Sequence, residues 1–368
     1  MGKKIGVGFI GTGFARKVQM PAFSACENAE IISVASQRLG NAEAAAKEFG
    51  ARHFTDKWQE TISHPEVDLV CITTPPPLHK EMTLAALSAS KHVLCEKPMA
   101  MNATEAEEML RAANDSGCLT LIDHELRFQP GRIKAKEMIL SGEIGEIYSM
   151  KYTFRAPHRG SRDIPWDWWS DAGQGGGALG AIVSHIIDSF YFFTEAEIEE
   201  VFCNLSTHIK SRPFGEALKE VTSDDACSLF FKFAQTELTP DADGLATVSM
   251  VEVPEYINQI EIFGSKGAIK IEHRGEVYTA KHGDKQWSQI PVNLGRGIED
   301  QPDTGFSRGF MEFAPIIVNA ILSGEKTIPS AADFYTGYRI QKVLDAARQS
   351  HKQRVAVRIS EQGIGFRP

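Results

Sequence analysis

Short apolar runs and helical periodicities alternate along the first third of the chain. The runs at 4–10, 30–35, 67–73, 92–95 and 119–122 have the length and composition of buried strands. Between them, 14–25, 41–49 and 79–89 carry helical patterns, and a further helix opens near Thr104 and closes at Gly117. Asn41 reads as an N-cap, Thr104 and Glu107 have the spacing of a capping box, and Pro75-Pro76-Pro77 marks a turn. Strands alternating with helices of this length are βαβ units. The expected fold over 1–124 is therefore α/β, a doubly wound parallel sheet of the Rossmann type.

The pattern changes after residue 124. Strands are expected at 147–155, 226–233, 246–253, 259–263, 268–272 and 276–280, many of them alternating or β-branched. Gly264-Ser265-Lys266-Gly267 is a turn between two of these. Helices are expected at 131–140, 181–193, 306–322 and 332–350, and the Gly-, Asp- and Pro-rich stretch 291–305 reads as a loop. Residues 125–368 thus form a second domain, entered without a flexible linker.

A length of 368 residues suits about two domains. With 42% hydrophobic and 24% charged residues, disordered and coiled-coil classes are excluded. The formal charge of −9 leaves no global basic field for nucleic acid or an anionic membrane. No apolar run approaches the roughly 20 residues that span a bilayer. The opening MGKKIGVGFIGTGF mimics a leader peptide, but glycines interrupt it and it reads as the first strand. Position 6, where myristoylation requires Ser or Thr, is Gly6. The six cysteines include no C-x-x-C pair, so neither a zinc site nor a disulfide framework is expected, and a reducing cytoplasm fits. No metal is expected.

Two glycine frames compete for a phosphate-binding role. Gly6-x-Gly8-x-x-Gly11 matches the pattern literally but leaves no room for a strand before it. Gly11-x-Gly13-x-x-Arg16 follows a full strand and opens a helix, the context in which backbone amides reach a pyrophosphate. Arg16 stands where a small residue is usual, so the helix is displaced or the guanidinium turns outward. At the end of the second strand, an acid selects NAD through the ribose hydroxyl, and an Arg accommodates the NADP phosphate. Here the run is Ala35-Ser36-Gln37-Arg38, without an acid. NADP is the expected cofactor, with Ser36 and Arg38 as its readers; NAD remains open.

Further along come Thr74-Pro75-Pro76-x-x-His79, Cys95-Glu96-Lys97-Pro98, the Asp123–Phe128 crossover DHELRF, and the segment GGGALGAIVSHIID at 175–188. These elements, in this order after the fingerprint, resemble the Gfo/Idh/MocA oxidoreductases, a family that includes glucose–fructose oxidoreductase and inositol dehydrogenases. The resemblance covers most of the chain. It implies a C-terminal α+β domain built on an open mixed, largely antiparallel sheet, with helices on one face and an oligomer interface on the other. It also implies cofactor contacts from Gly11, Thr12, Gly13, Phe14, Ser36, Arg38, Thr73, Thr74, Pro75, His79, Glu96 and Lys97. Glu96 either shapes the nicotinamide pocket or pairs with a cation.

Oxidising a secondary alcohol removes a hydroxyl proton as hydride leaves for the nicotinamide. An imidazole, ordinarily titrating near ~6.5, suits that task, and an ammonium beside the same oxygen stabilises the developing alkoxide. His185 and Lys97 match the family positions for these roles, converging on one pyridine ring. The family's Asp four residues before the histidine is replaced by Ala181, and the Gly two before it by Val183. Asp188, three residues beyond His185, shares its helical face. It orients the imidazole, binds substrate, or is a plain surface acid. Arg127 and Trp168 are candidate substrate contacts within a set that includes Tyr152, Arg155, Arg162, Trp166 and Trp169; core packing explains the tryptophans nearly as well. The expected activity is hydride transfer to or from a sugar, sugar derivative or cyclic polyol by a cytoplasmic homo-oligomer, a dimer or tetramer, with no nucleic-acid or membrane partner. The alternatives are an NADP-binding sensor with reduced catalysis, motivated by Ala181, and an aryl dihydrodiol dehydrogenase with an apolar pocket.

Overall fold

The computed structural model describes residues 3–299, 301 and 303–359. The chain divides into two compact units. One holds the chain up to Met101, Glu108–Ile133 and Val292–Tyr338; the other holds Asn102–Glu107, Lys134–Pro291 and the chain from Arg339 onward.

The first unit carries six parallel strands: β1 (Ile5–Ile10), β2 (Ala29–Ala35), β3 (His53–Thr55), β4 (Leu69–Ile72), β5 (His92–Cys95) and β6 (Thr120–Ile122). Their order is β3-β2-β1-β4-β5-β6, so the winding reverses between β1 and β4. That reversal is the switch point where ligands of doubly wound sheets bind. Every residue of β1 and β4 is buried, as strands covered on both faces require. The connecting helices are α1 (Met20–Ser24), α2 (Leu39–Phe49), α3 (Trp58–Ser63), α4 (His79–Ser88) and α5 (Ala103–Ser116). β3 and α3 escape the sequence pattern because they are only three and six residues long, with one buried residue in β3 and two in α3.

Two expected caps are replaced. α2 starts at Leu39 after Arg38, with no side-chain cap, which puts Asn41 inside the first turn. Ahead of α5, Asn102 Oδ1 accepts the Glu105 N–H at 2.9 Å, so the cap lies before Thr104 and the Thr104–Glu107 box is not used. The helix expected at 14–25 is split by a π-turn, Ala15–Gln19, ahead of α1.

A later helix, Phe306–Leu322, completes this unit's core. Its Phe310, Phe313 and Ile317 are fully buried in one cluster with Phe9 and Phe23. The rings run Phe9–Phe23 (6.1 Å), Phe23–Phe310 (5.7 Å) and Phe310–Phe313 (6.1 Å), all edge-to-face, and Phe313 stacks on Phe128 at 4.1 Å. Each such pair adds about 1 kcal/mol beyond its area burial.

The second unit is built on a nine-stranded sheet. Its strands are β7 (Ile147–Arg155), β8 (Ile198–Ser206), β11 (Ala226–Phe233), β12 (Asp243–Ser249), β13 (Ile257–Gly264), β14 (Gly267–Ile271), β15 (Val277–Lys281), β16 (Ser288–Ile290) and β17 (Val357–Arg358). A separate hairpin pairs β9 (Ser211–Phe214) with β10 (Ala217–Glu220). The sheet order is β16-β15-β14-β13-β7-β12-β11-β8-β17, and only β7–β12 is parallel. The helices still to be named are α6 (Pro130–Leu140), α7 (Ser184–Thr194) and α9 (Phe334–Gln353); Phe306–Leu322 is α8 in chain order.

One sheet face is apolar: Met150, Tyr152 and Phe154 of β7 are buried with Leu229, Phe231 and Phe233 of β11. Phe190 of α7 meets Phe231 and Phe233 edge-on at 5.3 and 5.5 Å. β12 was expected at 246–253 but starts at Asp243 and leaves the sheet after Ser249, ahead of Pro254. The apolar signal of β8 is diluted by Glu199, Glu200 and Asn204, though Ile198, Val201 and Cys203 face inward. The stretch Ala172–Thr194 is long and apolar enough to cross a membrane by composition, but 89% of its apolar window is buried inside the protein.

Candidate active site

Gly6 and Gly8 lie inside β1, so the phosphate-binding frame is the one beginning at Gly11. Gly11 ends the strand, its N–H donating to Ala35 O at 2.8 Å. Its φ of +104° is open to glycine, and an added Cβ would stand 2.6 Å from Thr73 O. Helical structure begins at Gly13, where an added Cβ would find nothing within 4 Å. No side chain caps this helix end at Phe14, so first-turn amides are left for a ligand. Arg16 turns outward to an ion pair with Glu48 of α2. A glycine at a positive φ, open space over Gly13 and uncapped amides fit a dinucleotide pyrophosphate.

At the end of β2, the Ser36 N–H donates to Thr55 O at 3.1 Å. Arg38 is exposed and, among the described residues, has no ion-pair partner.

The ends of β4 and β5 carry the next group. Thr73 ties back to β1 through its N–H (2.8 Å) and Oγ1 (3.1 Å), both donating to Ile10 O. Thr74 Oγ1 turns to Met82 Sδ at 3.5 Å, and Pro75 leads into a short 3₁₀ turn, Pro76–Leu78. His79, expected to touch the cofactor, is fully buried. Its Nε2 faces Thr74 O at 2.8 Å and its Nδ1 faces Pro98 O at 3.0 Å. The ring therefore braces the loops after β4 and β5 and offers a ligand no free nitrogen. Burial, above all, lowers its pKa, with the Lys97 charge adding to the effect.

Glu96 also turns inward. Its Oε1 accepts from Gln19 Nε2 at 3.1 Å, and its Oε2 accepts the Lys97 N–H at 3.2 Å. Gln19 Nε2 donates as well to Asp123 Oδ2 at 2.6 Å. Burial raises the pKa of Glu96 against the opposing pull of Lys97. Burial, Glu125 and Glu96 together push Asp123 far up. Gln19 carried no sequence signal, because its role follows from the π-turn that buries it. Arg127, in the short turn Glu125–Phe128, is mostly buried and donates to Ser330 O at 3.1 Å.

In the second unit, the glycine-rich segment leads into a π-turn, Leu179–Val183, and then α7. A π-turn bonds residues five apart; this one contains Ala181, and regular α-helix resumes at Ser184, just before His185. His185 and Asp188, both mostly buried, sit three apart within regular α-helix and share a face as expected. Asp224, which sequence reading passed over, anchors the segment: its Oδ2 accepts the Leu179 N–H at 2.8 Å and its carbonyl the Ala178 N–H at 3.0 Å. Gly177, at φ +112°, leaves room for Asp224 Oδ1 where a Cβ would collide. Burial pushes the Asp224 carboxyl up to about 6.

The tryptophans divide by role. Trp166 lies under Lys219 of the hairpin, with Nζ 3.3 Å from the ring centroid, and its Nε1 donates to Glu220 O at 2.9 Å. Trp169 carries the Arg159 guanidinium at 4.5 Å. Trp168 keeps 38% of its surface exposed. Tyr152 is buried, donating to Asn258 Oδ1 at 2.6 Å, and Arg155 pairs with Glu252 at 3.4 Å. These last two serve the sheet.

A 3-2-1-4-5-6 parallel sheet with an open glycine turn at its switch point defines a dinucleotide-binding protein of the Rossmann type. Residues 5–124 match the model of an oxidoreductase family with an NAD-binding Rossmann fold, and 133–270 match the GFO/IDH/MocA C-terminal domain. The chain belongs to the Gfo/Idh/MocA family. It is 30% identical to levoglucosan dehydrogenase of Pseudarthrobacter phenanthrenivorans, over 95% of this chain and 96% of that one. It is 27% identical to glucose-fructose oxidoreductase domain-containing protein 2 of Xenopus laevis, over 94% and 91%. The structure of a levoglucosan dehydrogenase in complex with NADH and L-sorbose superposes with a TM-score of 0.87 at 27% identity, covering 98% of this chain and 100% of that one. The protein is thus a dehydrogenase-type oxidoreductase, with sugar dehydrogenases among its relatives.

Proposed function

We propose that this protein transfers a hydride between nicotinamide C4 and a secondary alcohol or ketone of a sugar, sugar derivative or cyclic polyol. The observation that carries the reading is the open glycine turn at the switch point of a chain similar, over nearly its whole length, to a dehydrogenase whose structure contains NADH and L-sorbose. The bound cofactor supplies the hydride acceptor or donor. Residues 1–124 serve cofactor binding, and 125–368 serve substrate binding and oligomerisation.

Lys97 and His185 are the catalytic pair in this reading. Lys97, directly after β5, stabilises negative charge on the substrate oxygen, and His185 takes or returns the hydroxyl proton. Asp188, on the same face of α7, orients the imidazole or binds substrate, alongside Arg127 and Trp168. NADP is the preferred cofactor: positions 36–38 offer a hydroxyl and an exposed guanidinium and no carboxylate to hold a ribose diol. A homo-oligomer is supported by Phe202, Phe230 and Leu245, which are exposed in register on neighbouring strands of the open sheet face. The cytoplasm is the proposed compartment, in keeping with six unpaired cysteines.

The test is turnover against a panel of polyols and ketoses with either cofactor. Activity is expected with at least one sugar or polyol and lost in the double variant Lys97→Ala, His185→Ala. Undiminished turnover in that variant overturns the assignment of roles. Calorimetric titration is expected to find NADP bound more tightly than NAD, and Arg38→Ala to remove the difference. Equal affinities in the unaltered protein would end the phosphate role of Arg38.

A further inference from the structure

Two acidic side chains sit inside the first unit where the reading above uses only Lys97. Glu96 keeps 7% of its surface and Asp123 none, and between them lies the fully buried Gln19. The single Gln19 amide nitrogen gives one hydrogen to Glu96 Oε1 and the other to Asp123 Oδ2. The two carboxyls are not equally provided for. Glu96 also receives the Lys97 N–H and feels the Lys97 ammonium. Asp123 Oδ1 is buried and, among the described residues, receives no hydrogen bond. The charges that push Asp123 up are those of two acids, Glu125 and Glu96, and the nearby Cys71 and Cys95 thiols are kept neutral by burial. His79, which feels the Lys97 charge, is engaged by backbone carbonyls.

Two carboxylates sharing one donor in a dry interior repel each other, and the pair is stable with one proton between them. An ionised Asp123 would leave Oδ1 unsatisfied, whereas a protonated one can donate from it to Glu96. We propose that Asp123 is held as a carboxylic acid which, with Gln19, fixes Glu96 as an ionised acceptor for the Lys97 N–H, making the three a positioning network for Lys97. The inference rests on Lys97 being the catalytic lysine only for its kinetic consequence; the protonation and the clamp are properties of the free protein. The π-turn at Ala15–Gln19 belongs to the same device, because it carries Gln19 into the interior while Arg16 turns out to Glu48.

The experiment uses the full chain without cofactor, in three arms. Infrared spectra of aspartate-labelled protein near pH 8, where Asp224 with its value of about 6 is ionised, should show a carboxylic-acid C=O stretch. That band should vanish in Asp123→Asn. Hydrogen exchange at the 96–99 peptide should quicken in Asp123→Ala and in Gln19→Leu but stay slow in Asp123→Asn, whose amide copies a protonated acid's donor and acceptor. With cofactor and substrate added, kcat should fall roughly 10- to 100-fold in the first two variants, with little change in cofactor KM, and be largely rescued in Asp123→Asn. Thermal melts establish that each variant is folded. Absence of the band, or a folded Asp123→Asn that exchanges as fast as Asp123→Ala, overturns the proposal. A wild-type protein that turns over nothing while showing the band and the slow exchange sinks the dehydrogenase reading and leaves this one standing.

Discussion

Asp224→Asn should stabilise the protein, and more so as pH rises. The carboxyl that anchors the glycine-rich segment is pushed by burial from its ordinary 3.8 up to about 6. The folded chain therefore holds a proton more tightly than the unfolded one. The associated stability is fully present below pH 3.8 and is lost as pH rises through about 6. A displacement of about 2 pH units, at about 1.4 kcal/mol each, makes the ionised carboxylate cost about 3 kcal/mol at neutral pH. Asparagine keeps an oxygen for the Leu179 N–H, now 2.8 Å from the carboxylate, and carries no charge to desolvate. Urea unfolding of both proteins, followed by tryptophan fluorescence at intervals from pH 4 to 8, measures the difference. The advantage of the variant should be small at pH 4 and grow by about 2–3 kcal/mol by pH 7.5, most of the rise falling between pH 4 and 6. Two stability curves that stay parallel across this range would refute the reasoning, as would a variant whose deficit deepens with pH.

Three further outcomes are expected. His79→Ala empties a fully buried ring site and removes the one N–H that a neutral imidazole offers the carbonyls of Thr74 and Pro98, and should lower unfolding free energy by about 2–4 kcal/mol; a loss under about 1 kcal/mol would mean that water replaces the ring. Gly11→Ala forces a Cβ to 2.6 Å from Thr73 O at a φ of +104°. It should cost at least about 1–3 kcal/mol in stability and weaken NADH binding tenfold or more in a fluorescence titration. Native thiol titration should find Cys26 and Cys118, both half-buried, reacting well before Cys71, Cys95, Cys203 and Cys227, which need denaturant.

The doubly wound sheet was legible because β1, β4 and β5 are buried on both faces and so read as continuous apolar runs. The choice between glycine frames was legible from context alone, since a turn needs a strand before it. Caps were less so: the box at Thr104 has the right spacing, but Asn102 stands two residues earlier with an equally good acceptor, and only the backbone path decides between them. At the candidate site, motif spacing pointed to residues and said nothing of which way they turn. His79 and Glu96 face inward because fixed carbonyls and an amide await them there. Gln19 and Asp224 belong to no motif, and what matters in each is what a buried polar atom meets across the fold. The helix that carries position 181 and His185 opens with a π-turn, an irregularity that hydrophobic periodicity averages away.

The ring ladder from Phe9 through Phe23 to Phe310 and Phe313 has a consequence for biosynthesis. When β6 leaves the ribosome, all six strands of the nucleotide-binding sheet exist, yet the helix that seals one flank has still to be translated. The nascent sheet must wait, with that flank bare, while all of the nine-stranded sheet except β17 is made. Expression of the first 124 residues alone would isolate that waiting state and yield a sticky fragment rather than a free-standing nucleotide-binding module.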